Sequence, residues 1–148
     1  MADLLLLHGI WLAVCDGQRA LLLENQGDRI YPKLETRQTF RQDNPLSHEQ
    51  GSAPPGRAFG SSGRRSSTEE NDFHRQQAAD FLAKFADVIN REVAAGRIGS
   101  LALIAPAKAL GQLRPRLSEQ VHKILVAELA RDYVKMPVHE IERALSEA

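Results

Sequence analysis

Residues 10–24, IWLAVCDGQRALLLE, decide the fold class. Ile10 to Cys15 is an almost unbroken apolar run, the pattern of a strand buried on both faces. Asp16-Gly17 supplies strong turn chemistry, and Arg19 to Glu24 returns as a second apolar run, so the stretch predicts a hairpin inside a covered sheet. Asn25-Gln26-Gly27-Asp28 is the next turn signal. Arg29 to Phe40 then reads as a third, more polar strand, with Ile30, Leu34 and Thr36 alternating against charged neighbours. Pro32 cannot donate to a ladder, which places this third strand at the edge of the sheet.

Downstream the period changes. Phe73, Gln77, Phe81, Phe85, Val88 and Glu92 trace a helical stripe from about Asp72 to Ala95, closed by Gly96. Glu69, Glu70 and Asp72 fit its first turn, where negative charge complements the helix dipole. Ser100 to Ala105 is another buried-strand run, and Pro106 suits the start of a short helix over Ala107 to Arg114. Ile124 to Leu129 fits both a helical face and a short strand, and periodicity leaves both open. Pro137 opens a last helix with Val138, Ile141 and Leu145 on its apolar side. Strands, long helix, strand and helices in this order predict one α/β domain over 1–148, a mixed β-sheet with flanking helices.

The interval between the third strand and the long helix, about 42–71, is rich in Gly, Ser, Pro and Arg. It is far longer than an ordinary connection, and such segments are binding loops or disordered linkers. Its few apolar residues, Leu46 and Phe59, cannot offset the entropy of ordering it, so a flexible loop is expected.

Composition narrows the function. Lys plus Arg number 19 and Asp plus Glu 19, a net charge of +0, so any nucleic-acid contact must be a local basic patch. Cys15 is the single cysteine and permits no internal disulfide, which fits a reducing compartment. The run Leu4–Leu7 is too short for a signal core, and no segment has the length of a bilayer span, so a cytoplasmic location without membrane contact is expected.

Four stretches, IWLAVCDGQRALLL (10–23), GRAFGSSGRRSS (56–67), LALIAPAKALGQLRPRL (101–117) and ARDYVKMPVHEIERAL (130–145), resemble the bacterial proteins named for being required for attachment to host cells. Those proteins are in turn similar to the middle domain of archaeo-eukaryotic release factors and of the ribosome-rescue protein Pelota. The resemblance implies a ribonuclease-H-like sheet in the order read above, and favours a strand over Ile124 to Leu129. In release factors the long loop carries a Gly-Gly-Gln tripeptide that positions water against the peptidyl-tRNA ester. Here Gln50-Gly51 and Gly60-Ser61-Ser62-Gly63 occur but Gly-Gly-Gln does not, so the hydrolytic activity is not implied.

What remains is arginine and glycine. Arg57, Arg64 and Arg65, preceded by Arg37 and Arg41, suit bidentate phosphate contacts, and glycines admit backbone amides to the same anion. Lys108 and Arg114, after the Ser100 to Ala105 strand, are candidates for the same anion-binding surface, although a packed strand-to-helix corner is the simpler explanation, since phosphate sites usually carry more glycine. The expected function is a non-enzymatic factor associated with the ribosome or a structured RNA. The alternative is a protein-interaction factor in attachment to host cells. A metal-dependent nuclease built on Asp16 needs converging acids, and Glu24 and Asp132 are the only partners to suggest. The five histidines show no zinc spacing, so no metal or cofactor is expected.

Overall fold

The computed structural model describes residues 5–42 and 59–147, with backbone alone for 59–71 and 147. Its five-stranded sheet has the order β3-β2-β1-β4-β5, built from β1 (Trp11–Cys15), β2 (Arg19–Asn25), β3 (Leu34–Arg41), β4 (Leu101–Ala105) and β5 (Leu125–Ala130). The hairpin strands β1, β2 and β3 pair antiparallel in sequence, while β4 runs parallel to both β1 and β5. The helices are α1 (Phe59–Ala94), α2 (Ala107–Leu113), α3 (Glu119–Ile124) and α4 (Val138–Glu147), with a 3-10 turn at Arg114–Arg116.

Alternation along the strands sends successive side chains to opposite faces. Trp11, Ala13, Cys15, Ala20, Leu22, Leu101 and Leu103 meet Phe81, Leu82, Phe85, Ala86 and Ile89 of α1 and Ala109, Leu110 and Leu113 of α2. Leu12, Val14, Leu23, Leu34, Ala102 and Ile104 instead meet Ile141 and Leu145 of α4 together with Leu6 and Val134. Both faces of β1 and β4 are therefore covered, which is why their sequences are apolar without a break. Burial of a side chain the size of Leu12 or Phe85 contributes about 1.5–3 kcal/mol.

Cys15 closes β1 in full burial. Burial, and secondarily the charge of Asp16, pushes its thiol from 9.0 up to about 12. The native state thus holds a proton that the unfolded chain gives up, so this contribution to stability is complete below about pH 9 and declines as pH rises toward 12. Iodoacetamide at about pH 8 is expected to label Cys15 only after denaturation. Labelling of the folded protein at the unfolded rate refutes that placement.

Several boundaries differ from the sequence reading. The third strand begins at Leu34, not Arg29, because Asp28 Oδ1 accepts the amides of Ile30 (3.0 Å) and Tyr31 (2.7 Å) and folds 28–31 into a turn. Its edge position is as expected. Helix α1 begins at Phe59 rather than near Asp72, so 59–71 of the expected loop have helical backbone, and 43–58 lie outside the described residues. Glu69, Glu70 and Asp72 consequently sit inside the helix, beyond the first turn where the dipole acts on them. At the other end Gly96 (φ 83°) donates to Val93 O and Arg97 to Glu92 O, the paired bonds of a Schellman cap. The Ile124 to Leu129 stretch, open between helix and strand, is a strand from Leu125: Ser118 Oγ caps the preceding α3 through the Val121 amide, and the chain passes from Ile124 directly into β5. Along β4, Leu103 meets the long helix and Ile104, alternating with it, faces α4.

No helix among the described residues is long and apolar enough to cross a membrane.

Candidate functional site

The carboxyl ends of β1, β3 and β4 all open on one end of the sheet. From β1 the chain turns to β2 on one side, and from β4 it proceeds to β5 on the other, so the crevice between β1 and β4 is a topological switch point. Ligands of open α/β sheets bind in such crevices. Here a cavity of about 440 Å³ lies over it, lined by Gly17 after β1, Pro106 and Lys108 after β4, and His74 and Ala78 of α1. A Cβ built on Gly17 stands 2.8 Å from Ala78 Cβ, so glycine is what lets α1 cross the hairpin turn this closely. A smaller depression continues past Asp16 and Gln42 to Lys135.

Asp16 itself is occupied with the turn. Its Oδ1 accepts the amides of Gln18 (2.7 Å) and Arg19 (2.8 Å), which fixes the hairpin. Glu24, its suggested partner, lies opposite Trp11 at the other end of β1, so the two carboxylates cannot converge. No group of three metal-ligating side chains occurs among the described residues.

The cations proposed from sequence separate into two sets. Arg37 is the extra residue of a β-bulge between Leu22 and Leu23, and its Nε donates to Glu24 (2.9 Å) with Glu35 at 3.6 Å. Arg114 donates from Nε to Glu128 on β5 (3.0 Å), and that hydrogen bond, with the Glu128 charge, holds the guanidinium still more firmly protonated. It stands six residues beyond Lys108, about 9 Å along the helix axis, away from the crevice. Both are neutralised pairs. Arg41 and Lys108, in contrast, line the cavities at the switch-point end and have no carboxylate partner among the described residues. Arg57 lies outside the described residues, and Arg64 and Arg65 fall on the α1 backbone with side chains not described.

One cation escaped the sequence reading. Arg19 opens β2 directly opposite Arg41 in the β2–β3 register, and the two line a common depression with Leu21, Phe40 and Val134. Like charges facing each other across a sheet destabilise it, and an anion bound between them relieves that repulsion. The signal was hidden because the pairing depends on the length of the 26–33 turn and on the bulge at Leu22/Leu23. Beside this pair a larger cavity, about 520 Å³, opens between β3 and α1, with Lys84 and Asp80 on its helical wall.

The arrangement is thus an end-of-sheet crevice which, among the described residues, holds unpaired cations and no metal-ligating cluster. Over residues 9–145 the sequence matches the model of the bacterial archaeo-eukaryotic release factor family 12. The chain belongs to that family. No curated protein matches it. In this member of release factor family 12 the match runs from the turn before β1 to the apolar face of α4, so it covers both faces of the sheet and the whole crevice.

Proposed function

We propose that this release-factor-family protein is a non-enzymatic RNA- or ribosome-associated factor that grips RNA phosphates at the carboxyl end of its sheet. The observation that carries the reading is the Arg19–Arg41 cross-strand pair, two guanidinium groups without a carboxylate partner among the described residues. Arg41 also stands where the chain leaves β3 for the glycine- and arginine-rich stretch, so Arg57, Arg64 and Arg65 extend the same basic surface in sequence. Lys108 supplies a further cation across the crevice. The absence of Gly-Gly-Gln from the sequence speaks against hydrolysis of a peptidyl-tRNA ester. Family membership supports a partner in translation, within the cytoplasm.

The test is an Arg19→Gln, Arg41→Gln, Lys108→Gln variant measured by filter binding to structured RNA and by ribosome cosedimentation. Each lost phosphate contact lowers the slope of log affinity against log salt by about 1, so the variant is expected to bind weakly with a flattened slope. A parallel variant with Gln at Arg57, Arg64 and Arg65 reports the contribution of the long stretch. Unchanged affinity and slope in both remove the RNA reading.

A second reading, protein contact in attachment to host cells, is favoured by the opposite end of the sheet. There Ile30 and Tyr31, 76% and 79% exposed, form the tip of the 28–31 turn near exposed Leu5 and Leu7. Apolar side chains displayed on an ordered turn suit a protein interface. An Ile30→Ser, Tyr31→Ser variant that loses attachment and retains RNA binding supports this reading, and unchanged attachment removes it.

A further inference from the structure

The sheet ends on two edge strands, β3 and β5. Edge strands display unpaired backbone groups, and proteins guard them with bulges, prolines and charged side chains. β5 is guarded by a register break at Val126, between the pairs Leu101–Leu125 and Ala102–Ala127. β3 has its bulge at Arg37, where the charges of Glu24, Glu35 and Arg37 gather. Beyond it, from Gln38 to Gln42, the pairing with β2 is regular and neither bulge nor proline interrupts it. The Gln42 amide donates to Gln18 O (2.7 Å), so alternation sends the backbone groups of Phe40 and Gln38 to β2 as well. Those of Thr39 and Arg41 point the other way, to an edge that pairs with no strand among the described residues. The register agrees, since Arg19, opposite Arg41, turns its own carbonyl to the Asp16 amide (2.9 Å) on the β1 side.

Helix α1 runs beside this open edge, and the cavity of about 520 Å³ lies between them, with Gln77, Lys84 and Val88 along one stripe of its helical wall. Phe40 projects toward α1, whereas Thr39 and Arg41 project to the opposite face with Arg19 and Leu21. A strand laid along Thr39 to Arg41 therefore meets different chemistry on its two faces. Opposite Phe40, its side chain stands against Phe40 and Val88, both half-buried, and the methylene stem of exposed Lys84, which favours an apolar residue. Opposite Arg41, its side chain joins two facing guanidinium groups that have no carboxylate partner among the described residues, which favours Asp or Glu. We infer that the open half of β3 takes an extended segment of a partner protein as a further strand, with an acidic side chain opposite Arg41 and an apolar one opposite Phe40. A groove between an edge strand and a neighbouring helix is where peptides add to a sheet: main-chain bonds hold them and alternate side chains select them. A phosphate backbone has no row of amides and carbonyls with which to satisfy that edge. The inference goes beyond the RNA reading and does not depend on it.

The experiment is a titration of the full chain with a short blocked peptide that alternates valine and glutamate, followed by amide chemical shifts and hydrogen exchange. The Thr39 and Arg41 amides are expected to shift and to exchange about tenfold or more slowly at saturation. A peptide with lysine in place of glutamate is expected to bind about tenfold more weakly, and Arg41→Glu to reverse that preference. Thr39→Pro removes a donor that faces outward, a substitution edge strands tolerate, and is expected to abolish binding while circular dichroism shows the sheet retained. Arg41 is exposed, so its variant remains informative if the proline variant fails to fold. Unchanged exchange at Thr39 and Arg41, or equal binding of both peptides to the parent and to Arg41→Glu, overturns the inference. A concentration-dependent dimer that Thr39→Pro disperses shows that a second copy of the chain takes the edge, and overturns it too. RNA binding is measured on the same preparations. RNA binding in a chain that takes no peptide sinks the strand site and leaves the arginine grip, and peptide binding in a chain that takes no RNA upholds the strand site and removes the RNA reading.

Discussion

Phe85→Ala is expected to destabilise the protein by about 3–5 kcal/mol, the largest effect of any single truncation in the core. Phe85 is 1% exposed, and it belongs to the cluster that joins α1 to the sheet. Its ring also meets Phe40 of the edge strand at 5.5 Å, so truncation empties a space bounded by helix and sheet together. Neither side can collapse readily: β1 is held by β2 and β4, and α1 is anchored by Leu82, Ala86 and Ile89 on the same stripe. Leucine at this position retains most of the volume and is expected to cost roughly half as much or less. Urea denaturation of both variants is the measurement. A Phe85→Ala protein with the midpoint of the parent shows that α1 does not pack by this face.

Asn25→Ala is expected to cost about 3 kcal/mol, although Asn25 makes no apolar contribution to the core. Asn25 is the one fully buried polar residue among those described, and its amide organises the end of the sheet opposite the crevice. Its Nδ2 donates to Leu6 O (2.7 Å) and Leu7 O (3.2 Å), while Oδ1 accepts the amides of Gly27 (3.0 Å) and Lys33 (2.8 Å). Alanine takes the partner from Leu6 O and from the Gly27 and Lys33 amides, while Leu7 O keeps the Ile10 amide (3.2 Å), and each group that stays out of water costs about 1–3 kcal/mol. Asn25→Asp keeps the acceptor but sets a carboxylate against two carbonyl oxygens. Its carboxyl is held protonated in the native state, so the variant is expected to be most stable at low pH and to lose stability as pH rises through the ordinary carboxyl range. The same staple holds the turn bearing Ile30 and Tyr31, so hydrogen exchange of the Gly27 and Lys33 amides reports the loss directly. Unchanged exchange at both positions refutes the role given to Asn25.

The contrast between these two residues explains how much of the molecule was legible. Phe85 declared itself, because its helical spacing with Phe81, Val88 and Glu92 has no reading other than a packed face. Asn25 read as an ordinary turn residue, since only the fold brings Leu6 and Lys33 to the same side chain. The candidate site divides similarly. Arg41 and Arg37 were named together as the arginines before the long stretch, and Lys108 and Arg114 together as cations after a strand, and only the placement of Glu24 and Glu128 beside Arg37 and Arg114 separates the members of each pair. Lys84 and Asp80 lie on the exposed side of α1, and it is the edge strand beside them that makes that side a cavity wall.

The sequence by itself determined the apolar strands β1, β2 and β4, the Asp16-Gly17 hairpin, the apolar stripe of α1 and its glycine stop, and hence a mixed sheet flanked by helices. These follow from local chemistry: alternation, helical period and the backbone freedom of glycine act between residues close in the chain. Only the tertiary structure decided which cations are paired, that Arg19 faces Arg41, that Ile104 packs away from α1, and that a cavity opens beside Phe40. Each of these depends on register or on a contact between residues far apart in sequence. A β-bulge of one residue is enough to change which side chains stand opposite one another, and nothing in the local pattern of β2 or β3 announces it.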